Sequence, residues 1–298
     1  RAAAVHMLRQ LQRSPPRAIV YSSTTAALLW PRPGAIRFDA PAAGNRQGRH
    51  GLWQRPLERR RLRQAPLLLP WSEGGLREAP ASAVRGDRAI VLPVPVEPSG
   101  SPPPTRDIAA ITYAANPAKK GLDQVLSAWR GVREAIVAGE LGATAASAEL
   151  VVAGVSADEL RLAGFELDRE EGVRVVGALS AERYRELVRR ARVFLCAPRR
   201  EDYGIAQLEA LADGCLLVTT PAPGPYAALS IARELDPRLV SDDLAGSLRL
   251  AIREPVPDYA QRALQALAPF RREAADRLVA EVLLPSLLGH TPDETETK

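Results

Sequence analysis

The stretch Val193-Phe-Leu-Cys-Ala-Pro-Arg-Arg-Glu-Asp-Tyr-Gly-Ile-Ala-Gln-Leu-Glu-Ala-Leu-Ala-Asp-Gly-Cys-Leu-Leu-Val-Thr219 contains two apolar runs, a charged loop and an amphipathic run. Val193–Ala197 and Cys215–Thr219 are short and continuously apolar, as expected of parallel strands that are covered on both faces. Ile205–Ala212, which lies between them, has the apolar spacing of a helix. The stretch therefore predicts a strand–helix–strand unit of a parallel sheet.

The same alternation continues along most of the chain. Strands are predicted at Ala18–Ser22, Ala89–Pro95, Ile108–Ala114, Glu149–Ala153, Val173–Gly177, Val193–Ala197 and Cys215–Thr219. Helices are predicted at Gly121–Val137, Ala181–Ala191, Ile205–Ala212, Leu244–Ile252, Tyr259–Leu267 and Phe270–Leu288. This order predicts an α/β fold of doubly wound, Rossmann-type domains.

A proline-rich stretch, Pro98–Arg106, marks the predicted domain junction. Residues 1–105 carry a net charge of +10 and residues 106–298 a net charge of −5, so the charge changes sign there. We expect domains over 1–105 and 106–269, a helix over 270–291 and a frayed tail over 292–298. Because residues 1–105 hold few predicted strands and the chain lacks an initiating Met, we expect an incomplete or small first domain and missing upstream sequence.

Composition excludes several classes of protein. Arg supplies 37 of the 40 basic residues, which is typical of GC-rich coding, so the net charge of +5 does not indicate a nucleic-acid partner. Two cysteines cannot form a disulfide framework, which favours a reducing, cytoplasmic compartment. No Cys/His spacing fits a zinc site, no apolar run is long enough to span a bilayer, and no secretory signal pattern is present.

Two segments carry residues suited to ligand binding. Lys119 and Lys120 follow the predicted strand Ile108–Ala114 and open a helix, where the free N–H groups of a helix N-terminus favour phosphate; a solvated charge pair is the alternative. Glu201 follows the predicted strand Val193–Ala197, where its carboxylate can accept hydrogen bonds from sugar hydroxyls; the alternative is a charge that stabilises a helix start. Glu209 lies within a mainly apolar helix, which is unusual for a surface carboxylate.

These two segments resemble the retaining GT-B glycosyltransferases of the "group 1" (family 4-like) type. The family's Glu, seven residues, Glu hallmark and its flanking residues are matched by Glu201, Tyr203-Gly204, Glu209-Ala210, Gly214 and Val218. Ala114–Asp123 is similar to the family's Gly-Arg-…-Lys-Gly-x-Asp loop, and Val173–Leu179 to its Val-x-x-x-Gly strand end. The resemblance covers about residues 108–225 and implies two Rossmann-type domains that face a cleft.

The resemblance implies a donor site for a nucleotide-sugar. Lys120 would bind the diphosphate, Glu201 the sugar hydroxyls, Glu209 the ribose, and the Val176-Gly177 backbone would lie near the nucleobase. The backbone N–H groups of Tyr203, Gly204 and Ile205 are further candidates for the diphosphate. Ala115 and Ala114 replace the family's Arg and Gly, so Asn116 and Lys119 are the candidates that compensate.

The N-terminal segment supplies candidates for the acceptor side. The loop 38–51 resembles the family's acceptor-side loop, in which Asp39, Arg46, Arg49 and His50 are the candidates; an ordinary surface loop is the alternative. Arg55–Arg63 predicts a helix with a cationic face, interpreted first as a solvated surface and second as a contact with an anionic membrane, at the inner membrane face. Nucleic acid is disfavoured because no aromatic residues are interleaved.

The prediction is thus a metal-independent, retaining glycosyltransferase without a resident cofactor. It would transfer a sugar from a nucleotide-sugar to a sugar, lipid-linked or small-molecule acceptor. No Asp-x-Asp metal motif is present, which fits the resembled family. The alternatives are a non-catalytic nucleotide-sugar-binding homologue, favoured by Ala115, and a basic adaptor for anionic surfaces.

Overall fold

The computed structural model describes residues 2, 5, 6, 9, 16–46, 48–84, 86–101, 103, 105–141, 148–167, 170–254 and 256–289. The chain divides into two compact units. The N-terminal unit comprises Arg1–Pro95 and Pro269–Lys298, and the central unit comprises Val96–Ala268. The first division thus lies ten residues before the junction expected at 105/106, and the tail predicted at 292–298 lies outside the described residues.

The described residues form two parallel sheets and the helices between their strands. The strands are β1 Val20–Tyr21, β2 Ala35–Phe38, β3 Leu68–Pro70, β4 Ile108–Tyr113, β5 Leu150–Ala153, β6 Val173–Gly177, β7 Ala191–Cys196 and β8 Leu216–Thr219. The helices are α1 Thr24–Ala27, α2 Ala42–Asn45, α3 Gln54–Gln64, α4 Glu73–Glu78, α5 Pro117–Lys120, α6 Leu122–Val137, α7 Ala157–Leu162, α8 Ala181–Arg190, α9 Ile205–Ala212, α10 Ala227–Leu235, α11 Leu244–Arg253, α12 Tyr259–Ala266, α13 Arg272–Leu278 and α14 Leu284–Leu288.

The central unit is a doubly wound sheet with strand order β6-β5-β4-β7-β8, and every pairing is parallel. Its middle strands are buried along their whole length or nearly so, which explains their uniformly apolar sequences. α6 buries Leu122, Val125, Leu126, Trp129 and Val132, the spacing of a helix with one face on a sheet. The chain order reverses between β4 and β7, which places the topological switch point at that pair.

The N-terminal unit is built on the three-stranded sheet β1-β2-β3. Alternate residues of β2 and β3 face opposite sides, because successive strand side chains point to opposite faces. Ile36 and Leu68 join one core cluster with Trp30 and Leu62. Residues of the opposite face join a second cluster that also contains Leu283, so the C-terminal helical segment covers that face within the same unit.

Two predicted elements differ from the structure. Ala89–Pro95 is not a strand: only Ala89 forms an isolated bridge to β3. The Ile90 and Leu92 N–H groups donate to the carbonyl oxygens of Leu68 and Pro70, but Pro70 has no N–H to return a hydrogen bond, so the ladder does not continue. The helix predicted over Phe270–Leu288 is interrupted by a π-helical turn, Val279–Leu283, immediately before the segment that holds Pro285. Proline has no N–H to donate to the preceding turn, which accounts for the local change in helical pairing.

No helix within the described part of the chain is both long enough and apolar enough to cross a membrane.

Candidate functional site

The loops that follow β4 and β7 meet at the carboxyl edge of the central sheet. The Arg199 N–H donates a hydrogen bond of 2.9 Å to the carbonyl oxygen of Lys119, which ties one loop to the other. Gly121 adopts a left-handed conformation with φ +63°, and a Cβ there would overlap the carbonyl group of Ala197. Glycine is therefore required at 121 for both its backbone angles and its close approach to the neighbouring loop.

Lys120 and Glu201 form an ion pair at this meeting point. The Lys120 Nζ lies 2.7 Å from the Glu201 Oε2, although 81 positions separate the two residues in sequence. The Gln207 Nε2 donates to the same oxygen at 3.1 Å. Glu201 is only 8% exposed, so its carboxylate lies largely out of water. The two donors hold it in place.

Two helices begin at this edge, directly after the two loops that carry Lys120 and Glu201. α6 starts directly after Gly121, and α9 starts after Gly204, whose φ is +90°. A Cβ on Gly204 would lie 2.7 Å from the Tyr226 ring, so the chain can turn into α9 there only with glycine. The first N–H groups of both helices have no intrahelical acceptor, and the helix dipoles favour an anion.

The other predicted donor-loop residues have the following places. The Asn116 side chain caps α5 by accepting a hydrogen bond of 3.1 Å from the Lys119 N–H. Lys119 is exposed, Tyr203 is buried, and the side chain of Ile205 is 39% exposed. Asn116 thus has a structural role in the turn that presents both lysines.

Glu209 lies on the half-buried face of α9 and is paired with Arg185 of α8. The Arg185 Nη1 is 3.2 Å from the Glu209 Oε1, and its Nε is 2.7 Å from the Oδ2 of the fully buried Asp213 side chain. Burial raises the pKa of the Glu209 carboxyl, and the Arg185 guanidinium opposes that rise. Sequence reasoning missed Arg185 and Asp213, which hold Glu209 in place.

Val176 and Gly177 end β6, on the far side of β5 from the ion pair. Gly177 has φ +74°, and its carbonyl oxygen accepts a hydrogen bond of 2.8 Å from the Gly154 N–H. The structure therefore places this pair at the same sheet edge without direct contact to Lys120 or Glu201. A pocket of about 600 Å³ lies nearer the lysines and is lined in part by Asn116, Phe165 and Arg199.

The acceptor-side candidates lie in the N-terminal unit, at the carboxyl end of β2 and beyond. The Asp39 Oδ1 accepts a hydrogen bond of 2.7 Å from the Ala40 N–H. Arg46 is exposed and donates to the Thr25 Oγ1 at 3.0 Å and to the Gln54 side chain. Arg49 is exposed, and His50 follows it in the short 3₁₀ turn Arg49–Gly51.

Not every charged side chain of the arginine-rich helix α3 belongs to an exposed cationic face. The Arg61 guanidinium lies over the Trp30 ring and its Nε donates to the Leu28 carbonyl oxygen, so this arginine is part of the fold. Glu58 is buried and its Oε1 accepts a hydrogen bond of 2.7 Å from the Ala42 N–H. Burial raises the pKa of the Glu58 carboxyl, opposed by its hydrogen bonds from Thr24 and Ala42.

Within the ranges that the structure describes, no group of three or more His, Cys, Asp or Glu side chains is arranged to hold a metal ion.

The sequence signature described as "Glycosyl transferases group 1" matches residues 96–255. Comparison with curated protein sequences gives no significant match.

Solved structures of GT-B glycosyltransferases share the fold. WaaG, a glycosyltransferase involved in lipopolysaccharide biosynthesis, is 16% identical with a TM-score of 0.65, over 92% of this chain and 80% of that one. The sucrose-phosphate synthase of Thermosynechococcus elongatus is 16% identical with a TM-score of 0.65, over 96% and 78%. A UDP-forming α,α-trehalose-phosphate synthase of Burkholderia xenovorans is 15% identical with a TM-score of 0.63, over 96% and 77%. The chain has the GT-B fold and belongs to the glycosyl transferases group 1 family.

Proposed function

We propose that the chain transfers a sugar from a nucleotide-diphosphate-sugar to an acceptor hydroxyl, with retention of configuration and without a metal ion. The observation that carries the proposal is the contact between Lys120 and Glu201 at the switch point of the central sheet. That contact places a cation for a diphosphate beside a carboxylate for sugar hydroxyls. Ligands of open α/β sheets bind at such an edge.

In this proposal the residues at the edge stabilise the leaving diphosphate. Lys120 and the N-terminal N–H groups of α6 and α9 favour the negative charge that grows on the diphosphate as the glycosidic bond breaks. Glu201 orients the sugar through its hydroxyls and is not assigned as a nucleophile. The leaving phosphate accepts the acceptor's proton as the new bond forms on the same face of the sugar. Glu209 binds the ribose through the carboxylate that Arg185 holds.

A non-catalytic nucleotide-sugar-binding protein is the second candidate. The observation that favours it is Ala115, which is exposed at the position where the family pattern has a phosphate-binding Arg. Such a protein would bind donor and release no nucleoside diphosphate.

A panel of nucleotide-sugars with their nucleoside diphosphates tests both candidates. The panel contains UDP-glucose, UDP-galactose, UDP-N-acetylglucosamine, ADP-glucose and GDP-mannose. A donor at 100 times its dissociation constant is expected to add about 2.7 kcal/mol to the free energy of unfolding, visible as a rise in melting temperature. The same donor should then release nucleoside diphosphate in a coupled assay, with its sugar passing to water or to the hydroxyl of an added sugar. Stabilisation without release supports the second candidate, and no stabilisation by any member contradicts both.

We further propose that the N-terminal unit takes a sugar, lipid-linked or small-molecule acceptor and contacts an anionic membrane surface. Leu52 and Trp53 are 61% and 56% exposed and stand directly before α3. Arg59, Arg60 and Arg63 are exposed on that helix. Apolar side chains beside cationic ones suit the interface of an anionic bilayer.

Co-sedimentation with vesicles tests this contact. Binding to phosphatidylcholine vesicles that contain about one third phosphatidylglycerol is expected to exceed binding to pure phosphatidylcholine vesicles, and to weaken with salt because exposed charges are screened. Trp53→Ser should lower the bound fraction several-fold, whereas Trp129→Phe, in the central core, serves as a control for general loss of stability. Equal co-sedimentation with both kinds of vesicle would contradict the proposal.

A further inference from the structure

Gln207 is a buried polar side chain in an otherwise apolar part of α9. It is 2% exposed, and its Nε2 donates to the Glu201 Oε2 at 3.1 Å. Its Oε1 is buried and has no hydrogen-bond partner among the described residues. A buried carbonyl oxygen without a donor destabilises a fold, whereas an apolar side chain of the same shape would not. The hydrogen bond to Glu201 is therefore what the amide contributes at this position.

The direction of the Gln207 amide is set by Glu201. Rotating the amide by half a turn would place its Oε1 against the Glu201 Oε2, so that two acceptors would face each other without a proton between them. The observed direction leaves Oε1 unpartnered and keeps the donor on the carboxylate. The amide thus donates a hydrogen bond to the carboxylate, while its own oxygen accepts none.

The two donors on Glu201 converge on one carboxylate oxygen. Lys120 and Gln207 both donate to Oε2, which leaves Oε1 as the oxygen available to a ligand hydroxyl. A diphosphate next to Lys120 attracts its ammonium group, because the charges are opposite. The neutral amide of Gln207 is not drawn away in this manner, so it continues to hold Oε2.

We propose that Gln207 is a positioning residue that keeps the Glu201 Oε1 directed at the donor's sugar while Lys120 engages the diphosphate. The inference rests on the proposed donor site and assigns Gln207 to recognition of the sugar, not of the nucleotide. It acts through Glu201 and does not touch the donor itself.

Gln207→Met tests the inference, because methionine has a similar length and no hydrogen-bond donor. With UDP-glucose and GDP-mannose as sugar donors and UDP and GDP as sugar-free probes, the variant should bind the accepted nucleotide-sugar roughly tenfold more weakly. Its affinity for the corresponding nucleoside diphosphate should stay unchanged. The loss should appear in kcat as well as in KM, since a misdirected Glu201 also misplaces the sugar during transfer. The melting temperature should stay close to that of the wild type, because losing the hydrogen bond to Glu201 and removing the unpartnered Oε1 have opposite effects on stability.

Two companion variants make the outcome decisive. Leu211→Met, on the buried face of the same helix, should leave both affinities unchanged. In a Glu201→Gln background, Gln207→Met should add little further loss, because the two residues act as one unit. Three results would overturn the inference. Gln207→Met could weaken the binding of nucleotide-sugar and of nucleoside diphosphate equally, it could weaken the binding of neither, or its loss of affinity could add to that of Glu201→Gln. If the wild type binds none of these four probes and neither ADP-glucose nor ADP, the proposed donor site itself fails.

Discussion

Asp213→Ala is expected to lower the free energy of unfolding of the central unit by about 3–5 kcal/mol, the cost of removing one partner of a buried ion pair. The Asp213 side chain is fully buried and accepts hydrogen bonds from Arg185 and from both the N–H and the hydroxyl of Ser99. Without it, the Arg185 guanidinium, which is 12% exposed, keeps its charge with only Glu209 as a carboxylate partner. The melting temperature measured by calorimetry should fall by roughly 10 °C.

Two further variants serve as comparisons for the expected loss of stability in Asp213→Ala. Asp213→Asn keeps an acceptor for Ser99 and should destabilise less than Asp213→Ala. Asp158→Ala removes an exposed ion pair on α7 and should change the free energy of unfolding by less than about 1 kcal/mol. A change within 1 kcal/mol for Asp213→Ala as well would show that the network around Arg185 does not stabilise the fold.

The strands of the central sheet were predictable because parallel strands covered on both faces need apolar residues throughout. The N-terminal sheet was harder to predict. β2 spans only four residues and includes Arg37, so its sequence lacks a continuous apolar run. Ala89–Pro95 has such a run, but a longer ladder would need an N–H from Pro70 of β3, and the run itself does not reveal that its partner strand has a proline there.

The candidate site was predictable in part for a related reason. Lys120 and Glu201 each follow an apolar strand, and parallel topology brings the carboxyl ends of neighbouring strands together. Gln207, Arg185 and Asp213 could not be singled out in this way, because their roles depend on partners distant in sequence. Asp213 meets Ser99 across 114 positions, and no local pattern encodes that contact. The available signal was a glutamine flanked by apolar residues on the buried face of a predicted helix.

Lys120→Met should weaken binding of the nucleoside diphosphate roughly 10- to 100-fold, the range expected for the loss of a hydrogen bond to a charged group. Methionine keeps an unbranched side chain one atom shorter than that of lysine and lacks its charge and its donors. Lys119→Met should weaken binding less, because Lys119 is exposed and its N–H and carbonyl, not its ammonium group, form the loop contacts. Arg253→Met, at the exposed end of α11, is the control for loss of one positive charge on the same unit.

Calorimetric titration of UDP, ADP and GDP into the wild type and Lys120→Met tests the donor site most directly. We expect saturable binding of at least one of these diphosphates to the wild type, the same affinity in Arg253→Met, and a 10- to 100-fold weaker affinity in Lys120→Met. Binding of equal strength in the wild type and Lys120→Met, or no binding of any of the three diphosphates to the wild type, would contradict the proposed donor site.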